Sequence, residues 1–176
     1  VQPTERVIPF LADSNRELHT MAVSTKQATG RRTLHFNSYD DILADVHALA
    51  AGPVRQLGNW SLGGVCEHLA KSMNYGIDGA PFQVAWYLRL VGPLLRTRFL
   101  TRPMNPGFQL PPNAAPYLPS QSADAAGIAE LERAIERTRT VAERKPHIIF
   151  GRMSRQQWDQ LHFRHAEMHL SFIVPA

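Results

Sequence analysis

An all-α fold, a four-helix bundle with one long crossover, is what this 176-residue sequence predicts. Three observations carry the prediction. Four stretches repeat apolar residues at the three- and four-residue spacing of a helix face, and no segment alternates as a half-buried strand does. Short links join the first stretch to the second and the third to the fourth. A long, proline-rich link joins the second to the third, so those two helices can run parallel.

The first helix opens at Ser38, with Asp41 three residues on as its capping partner. Tyr39, Ile42, Leu43, Val46 and Leu49 form its apolar stripe, and Gly52-Pro53 ends it. The second follows Asn59-Trp60 with Ser61 as cap, and Leu62, Val65, Leu69 and Met73 recur at helical spacing until Gly76 and Gly79. The third is expected from about Ser122 to Arg144, with Ile128, Leu131, Ile135 and Val141 inward and Pro146 beyond its end. The fourth starts at Ser154, where Gln157 completes a second capping box, and continues to about Ile173 with Trp158, Leu161, His165, Met168 and Phe172 on one side.

The crossover has two parts. Residues 81–102 are strongly apolar but interrupted by Gly92-Pro93, and Phe82, Trp86, Leu90 and Leu94 are expected to pack over the bundle, with a homodimer contact as the other use of this surface. The run from Pro103 to Pro119 is too rich in proline for regular helix or central strand and reads as an ordered, extended connection. Residues 1–33 lack periodicity and read as a poorly ordered arm before a domain over 34–176, with Val1 or Met21 as the natural start.

Composition narrows the function classes. With 44% hydrophobic residues the chain can bury a core, and a single cysteine, Cys66, excludes an internal disulfide framework and a four-cysteine zinc site. No uninterrupted apolar run reaches the roughly 20 residues of a membrane span. The first residues lack the order of a secretory signal, so a cytoplasmic protein with no membrane partner is expected. The net charge of +4 comes from dispersed arginines with no nucleic-acid-binding signature around them, so no nucleic-acid partner is expected.

Eight histidines remain to be sorted. His165 and His169 are four residues apart, which places both imidazoles on the apolar side of the fourth helix about one turn apart. Two imidazoles on an apolar stripe need partners for their nitrogens, and a divalent metal satisfies both at once. His68, at the edge of the Val65–Leu69–Ser72 stripe, is the candidate third ligand. Three protein ligands leave coordination positions open, as catalytic sites do. His162 also falls on the inner face and is read as a neighbour that hydrogen-bonds near the site, or as an alternative ligand. His19, His35, His47 and His147 earn no role.

Glu167 stands two residues after His165, not beside it as in the zinc-protease motif, and its phase turns it outward. Cys66 diverges from His68 by about 160° and reads as a small buried residue. Ser72 and Tyr75, one and two turns beyond His68, are candidates for a substrate pocket.

Several stretches carry a resemblance: Arg32-Thr-Leu-His-Phe-Asn-Ser-Tyr-Asp-Asp41, Gly58-Asn-Trp-Ser61 with Glu67-His-Leu-Ala70, Phe150-Gly-Arg-Met-Ser154, and above all Leu161-His-Phe-Arg-His-Ala-Glu-Met-His-Leu-Ser-Phe172. Together they resemble the DinB/YfiT-like superfamily of metalloenzymes, and within it the DUF1569 branch. That resemblance implies an up-down-down-up bundle holding a divalent ion, nickel, zinc, manganese or iron, on His68, His165 and His169. It also implies chemistry on a small molecule, with hydrolysis or thiol-dependent S-transfer as the expected reactions and a low-molecular-weight thiol as a possible co-substrate. The alternative is a non-enzymatic binding or assembly module whose metal is structural or absent.

Overall fold

A computed structural model of the chain describes residues 24–107, 112–120 and 122–176. Its elements, in chain order, are α1 (Tyr39–Ala50), β1 (Val54–Gln56), α2 (Leu62–Asp78), α3 (Trp86–Thr101), a 3-10 turn (Pro112–Tyr117), α4 (Asp124–Thr140), α5 (Arg155–Leu170) and β2 (Ile173–Pro175). The described residues are thus mostly helical, with five α-helices among them where four were expected.

Helix starts follow the local chemistry. Ser38 and Asp41 form a reciprocal capping box on α1, and Ser154 and Gln157 form another on α5, each satisfying amides that have no partner inside the helix. Ser61 caps α2 by accepting from the Gly64 amide. Gly79 ends α2 with φ of +90°, a region open to glycine and strained for other residues. The expected third helix is α4, and it is shorter than the sequence suggests. From Val141 the backbone is extended, and Arg144 turns back to the Thr138 and Val141 carbonyls, supplying donors to a helix end.

α2 and α4 approach most closely. A Cβ on Gly127 would lie 2.1 Å from the Gly63 carbonyl oxygen, and one on Gly63 would lie 2.7 Å from those of Ser122 and Ala123. The main core gathers Ile42 and Val46 from α1, Leu69 and Met73 from α2, and Leu131 and Ile135 from α4. Each such side chain contributes about 1.5–3 kcal/mol by leaving water. α5 is buried on several sides, with Trp158, Leu161, Phe163, Ala166 and Leu170 all enclosed.

Four expectations need correction. First, the end of the chain is not helical to Ile173. β2 pairs antiparallel with β1, Val54 opposite Pro175, in a ladder of three residues per strand, too short to display alternation. Second, α3 runs unbroken through Gly92-Pro93. A Cβ at Gly92 would stand 2.2 Å from the Ile149 carbonyl oxygen, so this glycine lets the helix seat against the 147–151 turn. That contact also fixes the phase of α3. Third, therefore, only Phe82 of the four expected packing residues is buried, while Trp86, Leu90 and Leu94 are 72%, 66% and 82% exposed.

The fourth correction concerns Glu167, which faces away from His165 but not into water. It is buried, and its carboxylate accepts from the Phe36 amide at 2.6 Å and from Arg164 at 2.6 Å. The segment before α1 lies across this side of α5. The Arg32 amide donates to the Ser171 carbonyl at 3.0 Å, and its guanidinium grips Asp45 at 2.6 and 2.7 Å. The arm expected over 1–33 lies outside the described residues up to 23. Of its remainder, Arg31 and Arg32 are fastened to the bundle.

Candidate metal centre

α2 and α5 carry the site. His68 lies in the buried second turn of α2, and His165 and His169 lie on successive turns of α5. One nitrogen from each falls within 4.8 Å of the others. His165 is central, with its Nε2 3.3 Å from Nε2 of His68 and 3.0 Å from Nε2 of His169. Two nitrogens held by one ion at about 2.0–2.1 Å stand at most about 4.2 Å apart, and both of those separations fall inside that limit.

The protonation states suit a cation. His68 Nδ1 faces the Tyr117 carbonyl oxygen at 3.1 Å. A carbonyl only accepts, so Nδ1 carries the proton and Nε2 presents its lone pair to the cluster. Burial brings the His68 pKa down to about 4, against the opposing pull of that carbonyl. Burial, then the neighbouring histidines, hold His165 and His169 well below the ordinary value. All three are therefore neutral at pH 7. Each short contact can hold at most one N–H, and the remaining lone pairs face one another. A divalent cation turns that repulsion into attraction, so the donor set could hold a metal ion.

Aromatic rings fix the imidazoles. Trp60 stacks on His169, with centroids 5.0 Å apart and planes 18° from parallel, and stands 4.8 Å from His68. Tyr117 meets His68 edge-on at 4.6 Å. Tyr117 comes from the proline-rich connection, which Glu67 anchors. This buried carboxylate accepts from the Ser120 amide and hydroxyl at 3.0 and 2.8 Å, from Ser122 at 2.5 Å and from Lys71 at 2.6 Å. Burial alone would raise its pKa, but those donors outweigh it and hold the group at about 2.

A cavity of about 530 Å³ opens over the histidines, walled by Trp60, Val65, Leu118, Met168 and Phe172. Among the described residues that line it there is no aspartate, glutamate, lysine or arginine. Cys66 is fully buried and apart from the cluster, and burial pushes its thiol up to about 12.

His162 is not brought to the other three. Its Nδ1 lies 2.9 Å from the Tyr39 hydroxyl, which donates its own proton to Asp159 at 2.6 Å. The imidazole must then be the donor, which leaves a lone pair on the buried, unpartnered Nε2. Burial brings its pKa to about 3. Ser72 and Tyr75 are not among the residues that line the cavity over the histidines. Both line a second cavity, with the Tyr117 ring between them and the first. Tyr75 stacks on that ring at 4.9 Å.

A family described as Protein of unknown function (DUF1569) matches residues 28–176. The chain belongs to this family. No curated protein and no solved structure matches the chain. For this DUF1569 protein, then, the site itself carries the functional reading. Sequence reasoning placed the three histidines but missed two of their supports. Trp60 was visible only as the approach to α2, and Tyr117 as a lone aromatic in a run with no periodicity to orient it. Among the described residues no helix is long and apolar enough to cross a membrane.

Proposed function

We propose that this protein is a divalent-metal enzyme acting on a small molecule, with His68, His165 and His169 as ligands and water or a low-molecular-weight thiol as the nucleophile. The observation that carries this reading is the convergence of three imidazole nitrogens on a cavity rather than on a closed core. α1, α2, α4 and α5 are read as the four helices of a DinB-like, up-down-down-up bundle, the frame on which such a site would sit.

When bound, the ion supplies a Lewis acid that lowers the pKa of a coordinated water or thiol and polarises the substrate. The chain supplies the rest. The Tyr117 carbonyl holds the His68 tautomer, and Trp60 and Tyr117 restrict the rotation of His68 and His169. Met168, Phe172 and Val65 give the cavity apolar walls that limit water around the reacting atoms. Among the described residues of that lining the titratable side chains are the three histidines and Tyr117, with no carboxylate to act as a base. This favours a nucleophile whose ionisation needs only the ion, and a thiol meets that condition more readily than water. Nickel, zinc and iron suit an imidazole donor set, and manganese, which prefers oxygen ligands, suits it least of the four.

The test begins with protein stripped by a chelator and titrated calorimetrically with Ni²⁺, Zn²⁺, Mn²⁺ and Fe²⁺. One ion per chain is expected for at least one of them, with stoichiometric binding abolished in His165→Ala. A Co²⁺-loaded sample should change its visible spectrum when a small thiol is added. No stoichiometric ion refutes the reading. A bound ion whose spectrum no thiol alters, with no hydrolysis in a substrate screen, favours a structural metal in a binding module.

A further inference from the structure

The second cavity, of about 300 Å³, lies between α3 and α5 and has no part in the chemistry above. α3 turns Leu88, Val91, Leu95 and Phe99 to it, at the three- and four-residue spacing of one helix face. α5 contributes Trp158, Leu161 and His165, and the α4–α5 link contributes Phe150. Among the described residues that line it, none carries aspartate, glutamate, lysine or arginine. The imidazoles among those described residues are His147, whose Nδ1 is occupied by the Ile149 and Phe150 amides at 3.1 Å, and His165.

The space is a groove open to solvent along α3, where Val91, Leu95 and Phe99 are 47%, 44% and 37% exposed. Two features hold it open. Gly92 seats α3 on the Ile149 carbonyl, which sets the distance of the helix from α5. Tyr75, Phe82 and Tyr117 form a mutually packed triangle, with centroids 4.9–6.2 Å apart, that props the opposite wall. His165, Met168 and Tyr117 belong to the linings of both cavities. An occupant of the apolar space therefore lies against the central histidine of the cluster.

We propose that this second cavity receives the apolar arm of the substrate, an aliphatic or aromatic group of about ten non-hydrogen atoms at roughly 30 Å³ each, whose polar end reaches the three histidines. The substrate class is thus a small amphiphile rather than a sugar, a nucleotide or a polyanion. The role of the polar end rests on the function proposed above; the apolar subsite stands without it.

The subsite is tested on chelator-stripped protein by calorimetry with 1-alkanols from butanol to dodecanol. Affinity should rise about fourfold per methylene, the apolar transfer increment, and level off near eight to ten carbons. Val91→Trp, which fills the cavity from a half-exposed position, should weaken octanol at least tenfold while the circular dichroism stays that of the parent. Leu94→Ser, on the outer face of α3, should leave octanol binding unchanged. No binding at any length overturns the proposal. So does a rise that never levels, or a loss in Leu94→Ser that Val91→Trp does not share, because both place the alkanol on the outer surface.

The link to the histidines is read on Co²⁺-loaded protein. 1-Octanethiol should perturb the visible spectrum at far lower concentration than ethanethiol, and Val91→Trp should erase that advantage. Equal concentrations for the two thiols overturn the shared-substrate claim. A parent protein that takes up no ion yet shows the alkanol series refutes the metal reading and supports the apolar subsite.

Discussion

Replacing Gly127 by alanine should separate the two helices that set the position of His68. Alanine is the better helix former by about 1 kcal/mol, so an exposed site would gain from this change. Here the added Cβ would sit 2.1 Å from the Gly63 carbonyl oxygen and 2.7 Å from its carbonyl carbon and Cα. Ordinary contact begins near 3.4 Å, and the obstacle is helix backbone, which cannot rotate aside. α2 and α4 must move apart by about 1 Å along their closest contact. Overpacking of this kind costs about 1–3 kcal/mol and sometimes more, so the clash exceeds the propensity gain. Against rigid backbone at 2.1 Å the upper part of that range applies, about 2–3 kcal/mol, so a net loss of about 1–2 kcal/mol is expected, seen as a fall in Tm of roughly 2–8 °C for a chain of this size. His68 lies five residues after Gly63 on α2, so Ni²⁺ or Zn²⁺ affinity should weaken as well. Urea and thermal melts with metal titration measure both effects. Gly52→Ala is the control, since nothing lies within 4 Å of its Cβ and its φ is not positive, and it should be neutral or slightly stabilising. A Gly127→Ala protein as stable as its parent would refute the close-packing argument.

Two further outcomes are expected. Glu67→Gln keeps the shape of the side chain but turns an amide toward Lys71 or the serines, so the connection at 120–122 should loosen. Stability should drop by about 2 kcal/mol in urea unfolding, with faster proteolysis between residues 112 and 123; an unchanged cleavage pattern would count against the anchor. His147 has a pKa brought to about 4 by burial, so between pH 6.5 and 4 the unfolded chain binds a proton that the folded one refuses. Its contribution is present above pH 6.5 and lost as pH falls toward 4, up to about 3 kcal/mol. His147→Asn keeps an acceptor for the Ile149 and Phe150 amides without titrating, so its acid limb should be flatter than the parent's; identical slopes would contradict this.

Much of the fold is legible in local chemistry. The boxes Ser38–Asp41 and Ser154–Gln157 mark helix starts because reciprocal capping needs only residues three apart. The stripe through Leu62, Val65, Leu69 and Met73 is buried as its spacing predicts. α3 departs from its sequence pattern because a proline within an apolar run usually breaks a helix, and the contact that seats this one, Gly92 on Ile149, joins residues far apart in sequence. The β1–β2 pair was missed for the same reason: three-residue strands carry no period, and only the return of the chain end to the α1–α2 link creates them.

The candidate site divides along the same line. His165 and His169 lie one turn apart on one helix, so their pairing is a property of 3.6-residue periodicity and was fixed by sequence. His68 could be nominated from its face of α2, but its distance from His165 depends on how α2 and α5 dock. His162 shows the limit of phase arguments, since it shares the inner side of α5 yet is claimed by Tyr39 of α1. Glu167 shows it again, with its rotation read correctly and the segment that covers it unforeseen. Tyr117 and Trp60 reach the imidazoles from irregular chain, where no period assigns a direction. Sequence alone determined α1, α2, α4 and α5, most of their inward faces and the histidine pair, because these depend on neighbours within about one turn. Only the tertiary structure decided which histidine completes the cluster, what holds it, and that two cavities share His165 as a wall, because those depend on the packing of distant segments.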